Sequence, residues 1–194
     1  ASRMVVAAVH DMANEGQEID TATLKTAILR ANQQVLDASA GNSSYEGMGS
    51  TATVLHVDEH AGMVYYAHVG DSRLYLLRNG IFRQVSRDHS YVEELVARGE
   101  LSEAEAQHHP RKNLLLRAVG IEERLHVDGD SFPLEAGDRL LLATDGLTNM
   151  VDDDELAALL GGTFEGLAER MVKRALAGGG SDNITAIALA YEPS

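Results

Sequence analysis

The sequence predicts an α+β protein with two mainly antiparallel sheets covered on their outer faces by pairs of helices. Three observations carry that expectation. Segments with helical apolar spacing come in pairs near the two ends, and strand-like runs come in blocks between them, without strict strand-helix alternation. Asn79-Gly80, between two apolar runs, is a strong hairpin signal and favours antiparallel pairing. The 194 residues are 44% hydrophobic, with no internal repeat, low-complexity tract or Pro-rich linker, so one domain (residues 1–194) has enough apolar material for a core. Two sheets packed together with helices outside would bury every apolar face.

From Ser2 to Ala13, Met4, Val5, Ala8, Val9 and Met12 recur at helical spacing, and Gly16 ends the segment. The periodicity begins almost at the first residue, so the chain is expected to open inside a helix. Asp20 is placed to cap a second helix, whose face of Leu24, Ile28, Ala31, Val35 and Leu36 runs to about Ala38. Ser39 to Gly49 is small and polar and reads as a loop. Strands are expected over Ser50–Val57, Met63–Val69, Leu74–Leu77 and Ile81–Val85, with a turn at 58–62. A helical patch occupies Tyr91–Arg98, Ser102 with Glu105 forms a capping-box pattern, and His108-His109-Pro110 stops that helix. Further strands are expected at Arg124–Val127 and Arg139–Ala143, helices at Asp154–Leu160 and Phe164–Ala177, and a last strand at Asn183–Tyr191 after Gly178-Gly179-Gly180.

Charge and composition exclude several functions. With 30 acidic and 16 basic side chains the formal charge is −14, unsuited to nucleic-acid phosphates or anionic lipid. An acidic protein that handles anions must recruit positive charge locally, from metal ions or a few Arg. The absence of cysteine removes disulfides, Cys-rich zinc sites and thiolate catalysis, and suits the cytoplasm. No apolar run approaches the roughly 20 residues needed to span a bilayer.

Three aspartates lie where strand-like runs break into tight turns: Asp71 in Val69-Gly70-Asp71-Ser72-Arg73, Asp145 in Ala143-Thr144-Asp145-Gly146, and Asp182 in Gly180-Ser181-Asp182-Asn183. Small neighbours leave each carboxylate uncovered, and hard divalent cations take such all-oxygen ligands. The bland alternative is that each Asp only forms its turn. Other candidates read as structural. His56 and His60 straddle a strand end and a turn, where a four-residue spacing does not align side chains. His10, His68, His89 and His126 are scattered and read mostly as surface or sheet histidines. His108-His109 reads as a solvated pair, Asp128-Gly129-Asp130 as a hairpin turn, and Asp152-Asp153-Asp154 as acidic residues complementing a helix dipole. Gly49 is expected to give tight packing before a strand, Gly146 to give Asp145 backbone freedom, and Arg73 to make an internal ion pair rather than hold a phosphate.

Six motifs in order, Gly47-Met48-Gly49-Ser50-Thr51-Ala52, Gly70-Asp71-Ser72-Arg73, Asp88-His89-Ser90, Leu116-Arg117-Ala118-Val119-Gly120, Ala143-Thr144-Asp145-Gly146-Leu147 and Ser181-Asp182-Asn183-Ile184-Thr185, resemble the bacterial PP2C-type (PPM) metal-dependent serine/threonine protein phosphatases. The resemblance covers essentially the whole chain. It implies a four-layer α-β-β-α sandwich, phosphoprotein substrates, and Mn²⁺ or Mg²⁺ as two catalytic ions with a third more weakly held. It further implies that Asp145 and Asp182 are catalytic ligands of the first ion, that Asp145 also touches a third site, and that Asp71 binds the third ion. Residues 91–113 match the position of the family's flap, a helical insert beside the active site. Family members carry an Asp-Gly motif, a phosphate-binding Arg and two strands upstream of the first helix. Residue 1 aligns just after that region, so the sequence as given is expected to be N-terminally incomplete and weakly active or inactive by itself. The alternative function is a non-catalytic module of the same fold, which the three mutually repelling carboxylates oppose.

Overall fold

The computed structural model describes residues 1–192. In chain order the elements are α1 (Ser2–Asn14), α2 (Thr21–Gly41), a 3₁₀ turn (Ser43–Tyr45), β1 (Ala52–Asp58), β2 (Met63–Val69), β3 (Arg73–Arg78), β4 (Ile81–Gln84), α3 (Tyr91–Ala97) and α4 (Glu103–Gln107). They continue with β5 (Asp128–Pro133), β6 (Arg139–Ala143), α5 (Asp145–Thr148), α6 (Asp153–Gly161), α7 (Leu167–Ala177) and β7 (Ala186–Ala190). The chain forms two compact units: Ala1–Asp71 with Asp88–Phe132, and Ser72–Arg87 with the chain from Pro133 onward.

In the first unit, α1 buries Val5, Ala8 and Met12, and α2 buries Leu24, Ala27, Ile28, Ala31 and Val35, as their apolar spacing dictates. The Asp20 carboxylate accepts from the Thr23 backbone N–H at 2.8 Å and caps α2. These faces pack with Ala52, Ala67, Val69 and Val119 into one core. β1 and β2 pair antiparallel from Ala52↔Val69 to Asp58↔Met63, and the sheet order is β1-β2-β5. Within the core, buried Asn32 donates to the Glu122 carbonyl at 2.8 Å and accepts from the Gly120 N–H at 2.6 Å, which fixes the loop after Val119 on α2. The expected capping box is present: Glu105 N–H donates to Ser102 Oγ, and Ser102 N–H donates to Glu105 Oε2.

In the second unit the sheet order is β4-β3-β6-β7, with all pairs antiparallel. Asn79 and Gly80 both have positive φ, 52° and 78°, the backbone of the two-residue turn that their sequence announces. Leu156, Leu160, Leu167, Met171 and Ala175 from α6 and α7 form the core with Tyr75 and Leu141. Asp152 caps α6 through the Glu155 N–H at 2.8 Å, so the acidic run is structural as expected. Arg78 is bound by fully buried Asp138 at 2.8 and 2.7 Å, which ties β3 to the turn before β6.

Several boundaries differ from the sequence expectation. Residues 124–127 belong to no strand; Leu125 and Val127 alternate because an extended loop buries them in the core. Asp128-Gly129-Asp130 is the start of β5, not a hairpin turn. A methyl group on Gly129 would lie 2.4 Å from the Tyr66 carbonyl oxygen, so glycine there admits the close approach of β2. α2 runs on to Gly41 through the segment expected to be a loop, and the short α5 was not foreseen. α7 starts at Leu167 instead of Phe164 because Gly166, its N-cap, takes a left-handed backbone (φ 66°). β7 starts at Ala186 because residues 183–185 serve the turn described next.

Candidate active site and metal centre

Sheet register brings Asp145, Asp182 and Arg73 together in the second unit. Ala143 pairs with Ala186 on one side and with Arg73 on the other, so the chain leaving β6 runs beside the chain entering β7 and beside the first residue of β3. Thr144 then stitches the two turns: its N–H donates to the Thr185 carbonyl at 3.1 Å, its hydroxyl donates to the Asn183 carbonyl at 3.1 Å, and the Thr185 N–H donates to that hydroxyl at 2.9 Å. Gly146 is required for space. A methyl group there would sit 2.4 Å from the Asn183 carbonyl oxygen, and its φ is not positive, so closeness rather than the expected backbone freedom is what glycine supplies.

Asp145 is half-buried at the head of α5 and Asp182 is exposed. The Asp145 carboxyl is held above the usual carboxylate range, first by its burial and then by the negative charge of Asp182. The Gly146 N–H and the Arg73 guanidinium oppose that shift. Asp182 accepts from the Asn183 N–H at 2.6 Å, and Arg73 donates to the Tyr75 hydroxyl at 3.0 Å. The Asp145 carboxyl, made costlier to ionise by the charge of Asp182, forms with it an oxygen-only donor pair that a divalent cation would relieve. The residues present therefore fit Mn²⁺ or Mg²⁺. Among the described residues no three His, Asp or Glu side chains gather into a group able to hold an ion. Such a pair suits a cation that keeps several waters.

Asp71 is half-buried at the end of β2 in the first unit. Gly70 before it has φ 108°, and a methyl group on it would lie 2.4 Å from Thr51 Cγ2. Sequence reading missed what surrounds this turn. His68, a sheet histidine of β2 as one of the two readings has it, and His89, outside any strand, are 0% and 6% exposed, and their rings lie 4.9 Å apart. Burial pushes His68 down to about 4, and it also lowers His89. Asp128, read as a turn residue, accepts from His89 and Arg117, both at 3.1 Å, and lies 3.2 Å from the exposed His126 ring. The only sequence signal was the position of these residues: His68 two before Gly70, and His89 in Asp88-His89-Ser90. His108 lies by the Ala104 carbonyl and His109 accepts from the Arg111 N–H within their own segment, while Gly49 packs against Ile121 and the Val119 carbonyl.

Comparison with known proteins places this geometry. The sequence profile of protein phosphatase 2C matches residues 1–178. The chain belongs to the protein phosphatase 2C family. As a member it is a protein phosphatase, an enzyme, as the six ordered motifs led us to expect. It is 40% identical to the serine/threonine phosphatase stp of Listeria monocytogenes serotype 4b over 195 residues, covering 96% of this chain and 76% of that one. The fold is that of the solved phosphatases: the Mycobacterium tuberculosis serine/threonine phosphatase PstP/Ppp superposes with a TM-score of 0.90 at 32% identity, over 99% of this chain and 81% of that one. A catalytic domain of PstP in complex with two manganese ions matches at TM-score 0.85 and 31% identity, over 98% of this chain and 80% of that one. Like them, this phosphatase 2C chain is α+β with antiparallel sheets and flanking helices. No helix of its described residues is long and apolar enough to cross a membrane.

Proposed function

We propose that this phosphatase removes phosphate from phosphoserine and phosphothreonine in proteins, with Asp145 and Asp182 as ligands of a catalytic Mn²⁺ or Mg²⁺ and Asp71 as ligand of a further ion. The observation that carries the reading is the approach of the Asp145 and Asp182 carboxylates, stitched through Thr144 and the close contact at Gly146. When bound, divalent ions of this kind lower the pKa of water and neutralise phosphoryl oxygens. The chain's own residues set the stage for that chemistry. Thr144 and Gly146 hold the two turns close enough for both carboxylates to face one cation. The Arg73 guanidinium acts on Asp145 and moderates its repulsion with Asp182. A phosphomonoester dianion approaching this acidic protein would meet, besides the Arg73 guanidinium, the positive charge that a bound metal supplies.

Residues 91–113 are proposed as the flap of one phosphatase domain spanning the chain. They carry Glu93, Glu94, Arg98, Arg111 and Lys112, charges of both signs suited to selecting phosphopeptides. The lack of cysteine supports a cytoplasmic setting. The test is phosphate release from a panel of phosphoserine and phosphothreonine peptides by the purified complete protein. Release that requires Mn²⁺ and vanishes in Asp145→Ala is expected; metal-independent release, or release retained by the variant, rejects the assignment.

A further inference from the structure

The turn that carries Asp71 is wired into a chain of buried side chains reaching both sides of Gly70. The Gly70 N–H donates to His89 Nδ1 at 3.2 Å. A backbone N–H only donates, so Nδ1 accepts and the proton of His89 sits on Nε2. That Nε2–H faces Asp128 Oδ2 at 3.1 Å, and Arg117 aims at the other oxygen of the same carboxylate, also at 3.1 Å. On the other side the Gly70 carbonyl receives the His89 N–H at 2.7 Å and His68 Nε2 at 3.0 Å. A carbonyl only accepts, so His68 carries its proton on Nε2, and its Nδ1 takes the Thr53 hydroxyl at 2.9 Å. The peptide planes before and after Gly70 are both fixed, at a φ that no other residue holds comfortably.

We infer that His89, oriented by Asp128, and His68, oriented by Thr53, are positioning residues that clamp the backbone of Gly70 and so aim the Asp71 carboxylate at its metal ion. This rests on the reading of Asp71 as a metal ligand. The mechanism is the second layer of support common to metal sites, transmitted here through one peptide unit instead of through the ligand's own side chain; loss of such support costs about ten- to a hundredfold in metal affinity. Each partner is neutral or balanced: two imidazoles kept uncharged by burial, and a carboxylate faced by Arg117 and His126. The clamp therefore holds the turn without adding charge that would compete for the ion.

Calorimetric titration of the purified full chain with Mn²⁺ tests the clamp, alongside nitrogen NMR of the histidine rings. Asp71→Ala is expected to delete one Mn²⁺ step, and His89→Leu to weaken that same step about ten- to a hundredfold with the other steps unchanged. His89→Asn, whose side-chain oxygen replaces Nδ1 as acceptor for the Gly70 N–H, is expected to restore most of the affinity. The ring spectra are expected to show His68 and His89 neutral at pH 7 with the proton on Nε2. If His89→Leu fails to fold, Asp128→Asn takes its place and is expected to weaken the same step severalfold. A wild-type chain without any Mn²⁺ step, or an Asp71→Ala titration like wild type, overturns the ligand reading and the clamp with it. A step that Asp71→Ala deletes and that His89→Leu or Asp128→Asn leaves at wild-type affinity overturns the clamp alone, as does a proton on Nδ1 of His89.

Discussion

Asp145 faces another carboxylate across two stitched turns, whereas Asp71 follows a glycine gripped by two neutral imidazoles. The first arrangement places like charges together and leaves their repulsion to be relieved by a cation; the second spends neutral hydrogen bonds to hold one backbone unit still. The second unit thus provides charge, and this turn of the first unit provides aim. On the proposed assignment, a carboxylate pair held against its own repulsion is less stable without metal, and a turn held by a clamp is indifferent to it.

The comparison breaks most sharply at Asp145. Asp145→Asn is expected to lower phosphate release by about 10³-fold, the weight of several kcal/mol of metal-borne stabilisation, and yet to raise the melting temperature of the metal-free protein. The sign follows from its raised carboxyl: the folded state binds that proton more tightly than the unfolded state, so its contribution to stability is present at low pH and lost as pH rises through the folded-state value. At neutral pH the ionised group is a net cost. Kinetics and calorimetry on the same preparation decide the matter; a variant that melts lower than wild type contradicts the repulsion argument.

At the clamp, Gly70→Ala should destabilise the fold by about 4 kcal/mol, combining a strained positive φ with the clash against Thr51. Urea unfolding measures it, and a loss under about 1 kcal/mol would mean that the turn relaxes freely. Next in size is the pH dependence from His68. Its value near 4 lies below that of an unfolded histidine, so the stability it contributes is complete above about pH 6.5 and drains as pH falls toward 4. The loss is on the order of 3 kcal/mol across that window. Unfolding midpoints from pH 7 to pH 4 should show the slope in wild type, and His68→Gln, which keeps a donor for the Gly70 carbonyl but does not titrate, should flatten it. Smallest is Gly146→Ala, about 2 kcal/mol from crowding against the Asn183 carbonyl. Its sharper consequence is weaker Mn²⁺ binding by the Asp145 and Asp182 pair, readable by titration, with the Asp71 step unchanged.

Much of the fold was legible because its causes are local. The apolar spacing of α1 and α2, the Asp20 cap, the acidic run before α6, the Ser102-Glu105 box and the Asn79-Gly80 turn each act within a few residues, and each appears where its sequence places it. The misread strand at 124–127 has a long-range cause. Leu125 and Val127 alternate like a strand, but pairing depends on whether a distant backbone can approach, and Gly129 allows that approach to Tyr66 only from residue 128 onward. At the site, the three aspartates are visible in the sequence as carboxylates in small-residue turns, and the resemblance carried by the motif order implies a metal role for them.

The sequence by itself determined the donor chemistry: oxygen ligands, no thiol, an acidic chain, and turns with room for an ion. Only the tertiary structure decided which charges meet. Antiparallel register sets Arg73 and Ala186 on either side of Ala143, so that the turn before Ala186 couples Asp182 to Asp145. Folding likewise buries His68 and His89 and brings Asp128 to them from 39 residues beyond His89. Protonation and aim are properties of an environment, since desolvation and partner distance fix them, and no single stretch of chain contains that environment.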